Sequence, residues 1–180
     1  MVRKARKEEL PDIMEIYANA RTFMAKNGNP DQWAYGYPEE ELLREDLKKE
    51  QLYVYETEEG IGAVFVFFIG EEPNYRHIWD GAWLNDEPYG TLHRIAVSQY
   101  GRGLASKCLE WCYEQCSNMR GDTHEKNKSM QRLFEKNRFA RCGRIAVEDG
   151  TERIAYQKTK TRGSIGQRSI QKREAEERFA

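Results

Sequence analysis

LHRIAVSQYGRGLASKCLEW, residues 92–111, reads as a strand that ends in a glycine-punctuated turn and opens directly into an amphipathic helix. Gly101 and Gly103 let the main chain turn tightly and come close to a ligand. The first N–H groups of the following helix have no internal acceptors and lie at its positive dipole end, an arrangement suited to phosphate. Arg102 and Lys107 add local positive charge. A plain tight connection is the other reading of such a junction. The full G-x-G-x-x-G is missing and the stretch lies mid-chain, which argues against a dinucleotide fold. No Gly-Lys-Ser/Thr follows, so a P-loop is also excluded.

Outward from this junction, Thr91 to Val97 is the strand and Gly103 to Cys116 the helix, followed by a short strand from Met119 to Thr123. Asp122 and Glu125 have capping-box spacing for a helix running to about Asn137. Phe139 to Val147 and Thr151 to Lys158 flank Glu148-Asp149-Gly150 as a hairpin. Towards the N-terminus, Leu52 to Glu56 and Ile61 to Ile69 form another hairpin, its second strand apolar on both faces. Residues 70–90, broken by Pro73, Gly81, Pro88 and Gly90, read as a loop with a short strand. Val2 to Ala5 is a first strand, and Leu10, Ile13, Tyr17, Ala20 and Met24 mark a helix that stops at Asn27-Gly28. The aromatic loop DQWAYGY leads to a second helix over Glu39 to Glu50. This order predicts an α/β (α+β mixed) domain over residues 1–160. Its sheet is mixed, mostly antiparallel and six- to seven-stranded, with one parallel pair around the crossover helix and about four flanking helices. Residues 161–180, with five basic and three acidic side chains, read as a charged tail.

Composition narrows the function classes. Of 180 residues, 39% are apolar and 12% aromatic, enough for a packed core. Twenty-nine basic against thirty acidic side chains give a net charge of −1, which argues against nucleic acid or an anionic membrane as partner. The longest purely apolar run, Ala63 to Ile69, falls far short of the ~20 residues that span a bilayer. The opening MVRKARKEEL carries no apolar leader segment, so a cytoplasmic location is expected. Cys108, Cys112 and Cys116 share one helix face as small hydrophobes, Cys142 stands apart, and three histidines without finger-like spacing predict no metal site.

The glycine junction and a second block, NKSMQRLFEKNRF (Asn127 to Phe139), together resemble the GNAT superfamily of acetyl-CoA-dependent N-acetyltransferases. The family signature Q/R-x-x-G-x-G/A falls on Tyr100, Gly101, Arg102, Gly103, Leu104 and Ala105. Gly103 and Ala105 match, and Tyr100 stands where Arg or Gln is usual. In the second block Asn127, Met130 and Phe139 match, while Phe134 replaces the usual tyrosine and Arg138 the usual glycine. The resemblance implies a GNAT fold with acetyl-CoA as co-substrate and no metal. Acetyl-CoA would be held by Ile95, Ala96 and Val97, by Gly101, Arg102, Gly103, Leu104, Ala105 and Ser106, and by Asn127 and Phe134.

It further implies that the strand ending at Val97 parts from its parallel neighbour, and that an amide near Ala96 polarises the thioester carbonyl. His93 is the candidate base, with hydrogen-bonded packing as its other reading. Trp33, Tyr35 and Tyr37 are candidates for holding the acceptor by stacking or cation–π contact, and equally for anchoring their loop to the core. The expected activity is direct acetyl transfer to a primary amine, on a small molecule or a protein, by a monomer or homodimer. The competing expectation, prompted by Phe134, is a non-catalytic acyl-CoA-binding or sensing module.

Overall fold

The computed structural model describes residues 1–160; the predicted tail lies outside them. In chain order the elements are β1 (Val2–Lys4), α1 (Leu10–Lys26), α2 (Glu40–Lys48), β2 (Leu52–Thr57), β3 (Gly60–Ile69), β4 (Gly90–Val97), α3 (Leu104–Gln115), β5 (Met119–Thr123), α4 (Lys128–Lys136), β6 (Ala140–Ala146) and β7 (Glu152–Lys158). One sheet takes the strands in the order β1-β2-β3-β4-β5-β7-β6, antiparallel throughout except for β4 beside β5.

β3 explains the two-layer packing. Val64 and Val66 face one side, where α1 supplies Leu10, Ile13, Ile16, Tyr17 and Ala20 and α2 supplies Leu43. Phe65 and Phe67 face the other, against Leu104, Cys108, Leu109 and Cys112 of α3 and Phe134 of α4. The apolar period of α1 and the two-faced run of β3 therefore predict the layers correctly. Burial pushes the Cys108 thiol up to about 12 and raises that of Cys112 as well, so both pack as hydrophobes rather than serve as nucleophiles.

Two local expectations are corrected. Residues 70–89 contain no further strand; they make a 3-10 turn at Pro73–Tyr75 and a single bridge from Trp79 to Arg144. Side chains of β5 and β7 hold this segment in place of a ladder. Arg120 lies over the rings of Trp83 and Tyr89 at 4.3 and 4.0 Å, and Gln157 Oε1 accepts from Leu84 N–H at 2.7 Å. The capping box at Asp122 is also absent. Asn127 caps α4 instead, its Oδ1 accepting from Met130 N–H at 3.0 Å, because Asp122 is still in β5 and its carboxylate accepts from Tyr75 OH at 2.7 Å. No helix among the described residues is long and apolar enough to cross a membrane.

Candidate active site

The site begins where β4 and β5 separate. Their parallel pairing is limited to Gly90 with Met119 and Thr91 with Arg120, so from Leu92 to Val97 the β5 side of β4 has no strand partner. On its other edge β4 bulges: Val64 faces Ala96 and Val66 faces His93, leaving Arg94 and Ile95 opposite Phe65 alone. Arg94 takes φ +50°, a left-handed conformation costly for a side chain of its size. Three groups hold it. Tyr17, fully buried, donates its hydroxyl to the Arg94 carbonyl at 2.8 Å, and burial lifts its phenol far above the ordinary value, so it remains a donor. Asp46 Oδ2 meets Arg94 Nη2 at 2.5 Å with both side chains nearly sealed from solvent, and Tyr37 OH accepts from Nη1 at 3.2 Å.

Between β4 and α3, Gly101 and Gly103 hold φ +81° and +71°, and a Cβ at either would meet nothing within 4 Å. Gly103 caps α3 without any side-chain hydrogen bond, and the helix's first bond runs from Lys107 N–H to Gly103 C=O. The N–H groups of Gly103, Leu104, Ala105 and Ser106 thus find no acceptor among the described residues. The result is an open cradle of donors at a positive helix end.

The splay opens on a cleft of about 740 Å³, lined among others by His93, Ile95, Ala96, Val97 and Asn127; the cradle reaches it through Ala105, while Gly101, Gly103 and Leu104 stand outside the lining. His93 Nε2 lies 2.8 Å from Glu72 Oε2. Burial acts to raise the Glu72 carboxyl, but the hydrogen bonds from His93 and from Asn74 N–H outweigh it and hold the group below its ordinary value. An ionised Glu72 can only accept, so Nε2 is the donor in this contact. Trp33, Tyr35 and Tyr37 also line the cleft. Trp33 packs edge-on to Tyr17 at 5.6 Å, Tyr37 is tied to Arg94, and Tyr35 is fully exposed. Their loop is strapped to the start of α4 by Asp31 with Lys126 at 2.8 Å and by Gln32 with Asn127 at 2.9 Å.

Four predicted residues point their side chains elsewhere, Leu104 into the core layer against Phe65 and Phe67. Arg102 is bound to Glu59 and Gln99 on the surface, and Ser106 Oγ accepts from Asn137 at 3.0 Å. Phe134 is buried outside the cleft lining, stacked on Tyr156 at 4.8 Å. Glu72, Tyr17, Asp46 and Arg94 were missed. Their partnerships join residues 21 to 77 positions apart, and no local spacing signals them.

Among solved structures, an acetyltransferase of the GNAT family from Streptococcus agalactiae 2603 superposes with a TM-score of 0.83 at 35% identity, covering 90% of this chain and 96% of that one. The chain belongs to the GNAT family. It is an N-acetyltransferase, with the family's mixed seven-stranded sheet and four helices. A Staphylococcus aureus Mu50 protein matches with a TM-score of 0.65 at 25% identity over 88% of this chain and 98% of its own. A GNAT-family acetyltransferase from Listeria monocytogenes 4b F2365 shares the fold at 0.66 and 19% identity, over 88% and 93%. No family model and no curated protein matches the sequence. In this GNAT enzyme the separated strands, the bulge and Ala105 of the donor cradle share one cleft.

Proposed function

We propose that this acetyltransferase moves the acetyl group of acetyl-CoA to a primary amine by direct attack in a ternary complex, with His93 as the base. The supporting observation is that the His93–Glu72 pair lines the same cleft as Ala105, which belongs to the α3 donor cradle. The residues fit the co-substrate: the amides of Gly103 to Ser106 suit a diphosphate, and the unpaired edge of β4 at Ile95 to Val97 suits an amide-bearing arm. Acetyl-CoA supplies an activated thioester carbonyl, and an amide near Ala96 serves as the oxyanion donor.

An alkylammonium with pKa near 10.4 costs about 4–5 kcal/mol to deprotonate at pH 7. His93 Nδ1, oriented by the Glu72 anion, takes that proton directly or through water. Trp33, Tyr35 and Tyr37 border the space left for the acceptor. No enzyme nucleophile is involved, since Cys108 and Cys112 are buried thiols on α3. Thiol release from acetyl-CoA across a panel of primary amines tests the reading. With an accepted amine, His93→Ala lowers kcat/KM about 10²-fold, abolishes the acidic limb of the pH-rate profile and leaves acetyl-CoA binding nearly unchanged. An unaltered pH profile in that variant removes His93 as the base, and saturable acetyl-CoA binding without thiol release for any amine removes the reaction.

A further inference from the structure

Among the described residues, the cleft has one basic side chain that the proposed transfer leaves without a role. Arg153, on β7, lines the cleft and is only 8% exposed. Its Nη1 donates to Thr151 Oγ1 at 2.7 Å and to the Glu152 carbonyl at 3.0 Å, both neutral acceptors. Its Nε and Nη2 have no protein acceptor among the described residues, and neither belongs to the unpartnered side-chain atoms sealed from solvent, so they face accessible space. Other enclosed arginines are compensated. Arg94 pairs with Asp46, Arg3 with Glu9, and Arg120 lies between two aromatic rings. Arg153 has no carboxylate within 4 Å among the described residues. Asp149, which also lines the cleft, feels its field, but that carboxylate is taken by the Thr151 N–H at 2.9 Å and hydroxyl at 2.6 Å. A guanidinium withdrawn from water without a counterion is unfavourable unless an anion visits it.

Its place in the sheet points to that visitor. Strand alternation puts Arg153 on the face of Ala155, whose register partner is Asp122. Asp122 accepts from Tyr75 OH, and the Tyr75 ring lies 6.1 Å from that of His93. One face of one cleft therefore holds carboxylates and a base suited to an ammonium group, and a separate cation suited to an anion. We propose that Arg153 is the anion subsite of the acceptor, so that the preferred substrates are small zwitterions: primary amines that also carry a carboxylate or phosphonate. This rests on reading the cleft as the acceptor site. A bidentate guanidinium contact then fixes the far end of the molecule while its amine meets His93.

The test uses the whole chain and paired probes: L-phenylalanine against 2-phenylethylamine, L-methionine against 3-(methylthio)propylamine, 5-aminopentanoate against pentylamine, and 2-aminoethylphosphonate against ethylamine. Thiol release should favour the anionic member of at least one pair tenfold or more in kcat/KM, and the pair that responds tells carboxylate from phosphonate. In Arg153→Gln that ratio collapses towards one, a loss of about tenfold or more carried mainly by KM; Arg153→Lys retains part of it. Equal rates within every wild-type pair, or a Gln variant slowed equally on both members, overturn the proposal. The wild-type ratio needs no variant, and so survives if Arg153→Gln does not fold. If no amine releases thiol, the transfer reaction fails separately. Calorimetric titration of the same pairs into CoA-saturated protein then decides: heat from anionic members that Arg153→Lys weakens supports the subsite, and none from any of them ends it.

Discussion

Arg94 and Arg138 hold nearly the same left-handed backbone, φ +50° and +64°, in very different settings. Arg94 is surrounded: a buried tyrosine holds its carbonyl and a buried aspartate its guanidinium. Arg138 is exposed and follows α4, where its N–H donates to Glu135 C=O at 2.9 Å and Phe139 N–H donates to Phe134 C=O at 3.0 Å. That is the Schellman closure, completed by the contact of the Phe134 and Phe139 rings at 5.0 Å, with Arg138 at the position glycine usually occupies. Each residue carries on the order of 1–2 kcal/mol of backbone strain. At β4 the strain is over-determined from outside because it shapes the edge beside the cleft. At α4 it is tolerated because helix-end hydrogen bonds and an aromatic contact suffice.

Removing the strongest restraint should produce the largest effect. Asp46→Ala leaves the Arg94 guanidinium enclosed without its counterion and is expected to cost about 3–5 kcal/mol in urea unfolding, with acetyl transfer lost in the fraction that remains folded. A loss below about 1 kcal/mol would mean that the ion pair does not hold the bulge.

Tyr17→Phe is the milder cut, since it removes one hydroxyl and leaves the ring in the α1 layer. The Arg94 carbonyl loses its donor in a sealed position, so stability should fall by about 1–2 kcal/mol. Because the bulge sets the line of Ile95 to Val97, turnover should fall several-fold further than this stability loss explains at a temperature where the variant is folded. Turnover equal to that of the wild type would separate the restraint from the site.

The two arginines also mark the limits of sequence reading. Periodicity finds the helices and most strands because each pattern is local: α1 repeats its apolar face, and β3 is apolar on both sides. The cradle is equally legible, since Gly101 and Gly103 are backbone requirements written into neighbouring residues. The bulge is not, because its causes lie 77 and 48 positions away in Tyr17 and Asp46. Glu72 is hidden likewise, in a segment whose structure comes from β5 and β7 side chains rather than from its own pattern. Phe134 is misread for a related reason. It follows the family motif along the chain, yet its ring packs so close to Gly121 that a Cβ there would lie 2.8 Å away, which keeps it in the core.

Arg138→Gly should have the smallest effect and the opposite sign. Glycine relieves the left-handed strain, worth about 1 kcal/mol, while the extra freedom it gives the unfolded chain returns part of that gain. The net expectation is a stabilisation of about 0.5–1 kcal/mol by chemical denaturation. Turnover and acetyl-CoA affinity should be unchanged, since Arg138 is exposed and does not line the cleft. The two hydrogen bonds that close α4 come from main-chain N–H groups, so the substitution keeps both. A destabilised Gly variant would show that the long arginine stem, rather than the backbone angle, governs this helix end, and the contrast with Arg94 would then concern side chains rather than strain.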